Sequence, residues 1–157
     1  MKRTLGAFAA ACGGALYGTD GEFAEVLIDS RRLGARDLFC ALPGSRVDGH
    51  DYVAAAASAG AAGAVVARPL PAALAQVVVP DVATALARAG AAWRTAFTGP
   101  VIGVAGSNGK TTTKDMLAAI LARRGACLAT RGNLNNELGV PLTLLRLAAT
   151  QASAVIE

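Results

Sequence analysis

Seven consecutive residues, Gly106-Ser107-Asn108-Gly109-Lys110-Thr111-Thr112, have the types and spacing of a phosphate cradle. Glycines at 106 and 109 permit backbone angles and close approach that side chains would block. Lys110 offers a point charge to terminal phosphates, and the Thr111 hydroxyl suits Mg2+. Such a loop works between a strand and a helix N-terminus, where successive N–H groups converge and the positive helix end faces the anion. The ordinary phosphate-loop pattern also requires a glycine at position 104, where this sequence has valine. The loop is therefore a variant, with its glycines at 103 and 106.

The flanking sequence provides the elements this loop needs. Val101 to Val104 reads as a buried parallel strand and Thr111 to Arg124 as a helix, with Met116, Leu117, Ile120 and Leu121 as its apolar stripe. Asp115 in its first turn and Arg123 and Arg124 in its last suit the helix dipole, and Gly125 is a C-cap. Cys127 to Ala129 and Ser153 to Ile156 read as further strands, and Val140 to Leu147 as a helix. Glu157 follows the last of these strands.

Upstream, strands are expected at Ala24 to Ile28, Asp37 to Leu42, Ala64 to Ala67 and Gln76 to Val79, with a helix at Tyr52 to Ala59. Two turn-rich segments, 29–32 and 43–50, hold Ser30, Arg31, Arg46, Asp48 and His50 where a ligand could reach them. A helix from Val82 to Phe97 places Val82, Leu86, Ala89 and Trp93 at helical spacing, with Trp93 read as packing. Alternating strands and helices make the class α/β. The domain boundary is placed at that helix, giving residues 1–81 and 82–157.

Composition limits the alternatives. The 54% hydrophobic content is rich in alanine, and the longest uncharged stretch, 52–67, is too short and too weakly apolar to span a membrane. Lys2 and Arg3 before an apolar run imitate an export signal, with Cys12 imitating a lipidation site. A helix with Leu5, Phe8 and Ala9 on one face, ended by Gly13-Gly14, fits the same residues, and a downstream ATP loop favours it. Three cysteines and one histidine without metal-ligand spacing suit a reduced, cytoplasmic protein. The net charge is +4, but the fifteen basic residues are scattered and no aromatic stacking cluster accompanies them, so nucleic acid is not expected as a partner.

Residues 103–114 resemble the ATP loop of the Mur ligases, the amide ligases of cell-wall precursor synthesis, and Gly132 to Thr143, with Asn135 and Asn136, is similar to the segment that follows it. Asp29-Ser30-Arg31, 37–44 and Asp48-Gly49-His50 look like the uridine-nucleotide domain of that family. The asparagine-rich run is most similar to the branch that joins D-alanyl-D-alanine to UDP-N-acetylmuramoyl-tripeptide. The resemblance implies a small mixed α/β N-terminal uridine-nucleotide domain and then the start of a P-loop-type parallel-sheet ATPase domain. It implies Mg2+ and ATP held by residues 106–112, with Lys110 placing the γ-phosphate for transfer to a carboxylate. The amine would then attack the acyl phosphate, and Glu157 falls where the family binds metal.

By the same resemblance Ser30, Arg31, Arg46, Asp48 and His50 would contact the uridine nucleotide. Asn135 and Asn136 would either contact substrate or hold their loop through side-chain-to-backbone bonds. The family's enzymes are longer and have a C-terminal domain that contacts the dipeptide. The chain is therefore expected to be an N-terminal fragment, inactive alone. A small P-loop kinase or GTPase and a non-enzymatic UDP-sugar-binding module are the rival classes.

Overall fold

The computed structural model describes residues 2–44 and 47–157. It is α/β throughout and divides into two compact units that meet in sequence at residues 89 and 90.

The first unit opens with helix α1 (Leu5–Cys12), whose N-terminus is capped by the Thr4 side chain accepting from the Ala7 N–H at 3.2 Å. Gly13, left-handed at φ 74°, ends it. Strands β1 (Ala15–Tyr17), β2 (Val26–Leu27), β3 (Leu38–Cys40), β4 (Gly63–Val66) and β5 (Gln76–Val78) form one sheet in the order β1-β5-β4-β3-β2, and helix α2 (Val53–Ser58) lies between β3 and β4 in sequence. All neighbours are parallel except β1, which runs antiparallel to β5. Strand β1 falls outside the expected strands, since its three residues directly follow the apolar run of α1 and Gly13-Gly14 and are too few to stand out as a strand.

Residues alternate across this sheet as the pleat requires. Phe39, Ala64 and Val66 face Val53 and Ala56 of α2 in one cluster. Gly63, on the other face, lies so close to Leu5 of α1 that a Cβ would approach its Cδ2 to 2.8 Å. With both faces covered, β3 and β4 are buried along their whole length. Each fully buried Val, Leu or Phe contributes about 1.5–3 kcal/mol.

Helix α3 (Val82–Ala96) runs across the division between the units, with Val82, Leu86, Ala89 and Trp93 buried as their spacing predicts. The second unit contains β6 (Val101–Gly103), α4 (Lys110–Leu121), β7 (Cys127–Ala129), α5 (Gly139–Leu144) and β8 (Ser153–Ile156). Its three strands are parallel in the order β6-β8-β7, so β8 is central and fully buried while β6 is an edge strand and only half-buried. The expectation of a buried strand at 101–104 is thus corrected.

The stripe on α4 is corrected as well. Met116 and Ile120 are 62% and 64% exposed. The helix lies against β7 and β8 through a face one position away, made by Lys114, Leu117, Ala118 and Leu121. The helix also starts at Lys110, which puts Asp115 beyond the first turn, and a 3-10 turn at Ala122–Arg124 carries the terminal arginines.

Candidate nucleotide site at the strand ends

Because β6, β7 and β8 are parallel, their carboxyl ends lie along one edge of the sheet, the usual place for a ligand in an open α/β sheet. The loop 104–109 leaves β6 there, Thr130 follows β7, and Glu157 follows β8. The Val104 N–H donates to the Ile156 carbonyl at 2.8 Å, which extends the β6 and β8 pairing to the mouth of the loop.

Gly106 and Gly109 have φ of 153° and 73°. A Cβ on either would meet nothing closer than 3.8 Å, so the backbone angles, not lack of room, call for glycine. Gly109 is the N-cap of α4. Among the described residues no hydrogen bond takes the Ser107 or Asn108 N–H. Lys110 Nζ donates to the Gly106 carbonyl at 2.8 Å, which lays the ammonium across the loop. Thr112 is exposed on the first turn.

Thr111, Glu157 and Asn135 come together from three separate segments. The Thr111 hydroxyl lies 3.2 and 3.4 Å from the two Glu157 carboxylate oxygens, and Asn135 Nδ2 donates to Oε1 at 3.1 Å. Asn136 does something else. Its Oδ1 accepts from the Leu138 and Gly139 N–H groups at 3.3 and 2.7 Å, tying down the turn that enters α5.

The residues singled out in the first unit form two turns. Asp29 accepts from the Arg31 N–H and pairs with its guanidinium through two bonds of 2.9 and 2.8 Å, around a 3-10 turn at Ser30–Arg32. The Arg31 bonds hold the Asp29 carboxyl down to about 2, while the arginine remains exposed. In the second turn, Asp48 caps a 3-10 turn at Gly49–Tyr52. Its Oδ1 accepts from the His50 N–H at 3.0 Å and lies 2.6 Å from His50 Nδ1, and Arg68 donates to Oδ2 at 3.2 Å. Bonds from His50, then Arg68, lower the Asp48 carboxyl to about 2.

His50 itself is buried, and its Nε2 accepts from the Ala67 N–H at 2.9 Å. That bond makes Nε2 the unprotonated nitrogen and Nδ1 the donor to Asp48. With both nitrogens engaged, the imidazole fastens the turn to the end of β4 and has none left for direct ligand contact. Arg46 lies outside the described residues.

Known proteins with the same sequence pattern fix the family. Residues 22–125 match the Mur ligase family catalytic domain, more than half of the chain, and residues 104–157 match the Mur ligase middle domain. The chain belongs to the Mur ligase family. Among Mur ligases, it is 45% identical over 136 residues to the UDP-N-acetylmuramoyl-tripeptide–D-alanyl-D-alanine ligase of Synechocystis, covering 85% of this chain and 30% of the relative. The Escherichia coli enzyme of that name is 44% identical over 144 residues, covering 92% and 32%. The chain thus spans about a third of the length of these relatives. A crystal structure of MurF from Acinetobacter baumannii matches at a TM-score of 0.90 and 41% identity, over 100% of this chain and 35% of that one. MurF from Thermotoga maritima in complex with ADP matches at 0.72 and 32%, over 85% and 31%.

The atoms here with lone pairs to offer a metal, the Thr111 hydroxyl and the Glu157 carboxylate, are all oxygens and include one carboxylate. That set fits Mg2+, which takes one or two carboxylates and leaves its remaining positions to water and phosphate. No group of three or more His, Cys, Asp or Glu residues that could cage a metal occurs among the described residues.

Three residues at these places escaped the sequence reading. Arg68 joins Asp48 from the far side of β4 in sequence. Lys114 and Thr130 stand behind Glu157. Lys114 closes the 103–114 segment that resembles the Mur ligase loop, and its one further local signal was its spacing, four residues after Lys110 on one helix.

Proposed function

We propose that residues 1–81 of this chain are the UDP-muramoyl-peptide domain, and residues 82–157 the opening of the ATP domain, of a ligase that adds D-alanyl-D-alanine to UDP-N-acetylmuramoyl-tripeptide. The names of its Synechocystis and Escherichia coli relatives support the reaction, and the ADP complex of the Thermotoga relative supports the nucleotide. The observation that carries the reading is the convergence of the 106–112 loop, Thr111 and Glu157 at the carboxyl edge of one parallel sheet.

In this reading the loop N–H groups and the α4 N-terminus bind the phosphates, and Lys110 swings from the Gly106 carbonyl onto the γ-phosphate. Thr111 and Glu157 would hold Mg2+, with Asn135 restraining the carboxylate. When bound, the metal neutralises phosphate charge during transfer to the tripeptide carboxylate. The dipeptide amine then displaces phosphate from the acyl phosphate. Ser30, Arg31 and the Asp48 turn contact the uridine nucleotide, with Arg31 using the N–H donors that Asp29 leaves over. The dipeptide is met by parts of the enzyme represented in the remaining length of the relatives. In this reading the reaction takes place in the cytoplasm, where ATP and UDP-linked substrate are available. No helix among the described residues is long and apolar enough to cross a membrane.

Calorimetric titration of the chain with Mg2+ and a non-hydrolysable ATP analogue, and separately with UDP-N-acetylmuramoyl-tripeptide, tests the assignment. Lys110→Ala weakens the analogue about tenfold or more, as loss of a charge-assisted bond does. It leaves the UDP ligand unaffected, and Arg31→Ala shows the opposite pattern. Failure of the wild type to bind either ligand, or equal affinity for the GTP analogue, would remove the reading.

A further inference from the structure

Lys114 is 4% exposed, although it is a lysine on a helix whose outer face is open to water. Burying an ammonium is costly unless its donors are used. Its Nζ donates to the Thr130 carbonyl at 3.0 Å and lies 3.2 Å from an oxygen of the exposed Asp115 carboxylate. Thr130 is buried too, and all of its polar groups are engaged. Its N–H donates to the Val155 carbonyl at 3.1 Å, and its hydroxyl accepts the Glu157 N–H at 2.9 Å. The ends of β7 and β8 are thereby joined by one side chain just beyond their last paired residues.

The consequence falls on a carboxylate. Glu157 lies beyond the β8 ladder, and its backbone has the Thr130 hydroxyl as its anchor. Its side chain must nevertheless hold a place 3.2 Å from Thr111 Oγ1 and 3.1 Å from Asn135 Nδ2. Lys114 belongs to the helix that bears Thr111, so a single chain of bonds links that helix, through the Thr130 backbone and hydroxyl, to the residue facing Thr111.

We propose that Lys114 and Thr130 are positioning residues that set the Glu157 carboxylate against Thr111. The role of that carboxylate rests on the function proposed above, whereas the bond chain itself does not. Glu157 provides the charge, Thr130 fixes its backbone, and Lys114 fixes Thr130. A lysine fits this task because its stem packs under α4 while its head reaches a carbonyl across the sheet edge.

Two readouts on Thr130→Val, which keeps the branched shape and loses the hydroxyl, and on Thr130→Ser, which restores it, separate the relay from the function. The first is amide hydrogen exchange at Glu157, followed by NMR without ligand. The valine variant exchanges about fivefold faster, as expected for one lost hydrogen bond, while the serine variant stays near wild type. The second is the gain in ATP-analogue affinity on adding Mg2+. The valine and Lys114→Met variants lose most of that gain and keep metal-free binding, and the serine variant retains it. Wild-type exchange at Glu157 in the valine variant overturns the proposal. So does an unchanged Mg2+ gain in both the valine and methionine variants. If the wild type shows no Mg2+ gain while the valine variant still exchanges faster, the relay stands and the metal role of Glu157 fails.

Discussion

At the scale of single residues, the second turn of the first unit shows one carboxylate held by side chains from two segments. Asp48 accepts two bonds from His50 and one from Arg68, and these hold its carboxyl down to about 2. A carboxyl depressed on folding stabilises the folded state above its unfolded value, about 3.9. The stabilisation fades as the pH falls from there through about 2. Urea midpoints measured between about pH 5 and about pH 2 will therefore decline less in Asp48→Asn than in the parent, since that variant has no such carboxyl to protonate. Equal declines would mean that the turn is not held by Asp48. The sequence could offer Asp48 and His50 as neighbours, but it could not say that Ala67 occupies the outer ring nitrogen, because that partner lies seventeen residues away.

Elements were legible where local pattern decides and illegible where a neighbour decides. The presence of a helix after the 106–109 turn, the capping Gly13 and the buried face of α3 all follow from residue type and helical spacing. The orientation of α4 does not, since two apolar residues, Met116 and Ile120, point outward while a lysine points inward. A bonded carbonyl at Thr130 accounts for this, and no periodicity encodes it. The asparagine run divides similarly. Asn136 fastens the entry to α5 by side-chain-to-backbone bonds, one of the two roles left open for both asparagines, whereas Asn135 reaches the Glu157 side chain, a partner the sequence did not offer. Asn136→Ala should cost about 1 kcal/mol of stability, the usual value of such a cap, and Asn136→Asp should recover most of it. Asn135→Ala, at an exposed position, should leave the urea midpoint unchanged and reduce only Mg2+-dependent nucleotide affinity. Similar midpoints for the two alanine variants would show that the segment has no division of labour.

Over the whole molecule the charge is unevenly placed. Residues 1–89 hold eight basic and eight acidic residues, whereas residues 90–157 hold seven basic and three acidic, so the net +4 resides entirely in the part with the 106–112 loop. Scattered surface charge of this kind acts on a polyanion at a distance, and it is screened once the Debye length falls from about 10 Å at 0.1 M salt to about 3 Å at 1 M. Lys110, at contact distance in the loop, is screened much less. The two contributions separate kinetically, since a long-range field speeds encounter while contacts govern departure. Stopped-flow binding of a fluorescent ATP analogue should therefore show association slowing severalfold between about 0.05 and about 0.5 M NaCl, with dissociation changing little. In Lys110→Ala the dissociation rate should rise while the salt dependence of association persists. Replacing exposed Arg123 and Arg124 with glutamine should flatten that dependence and leave dissociation alone. An association rate indifferent to salt in the parent would show that the uneven charge plays no part in gathering nucleotide.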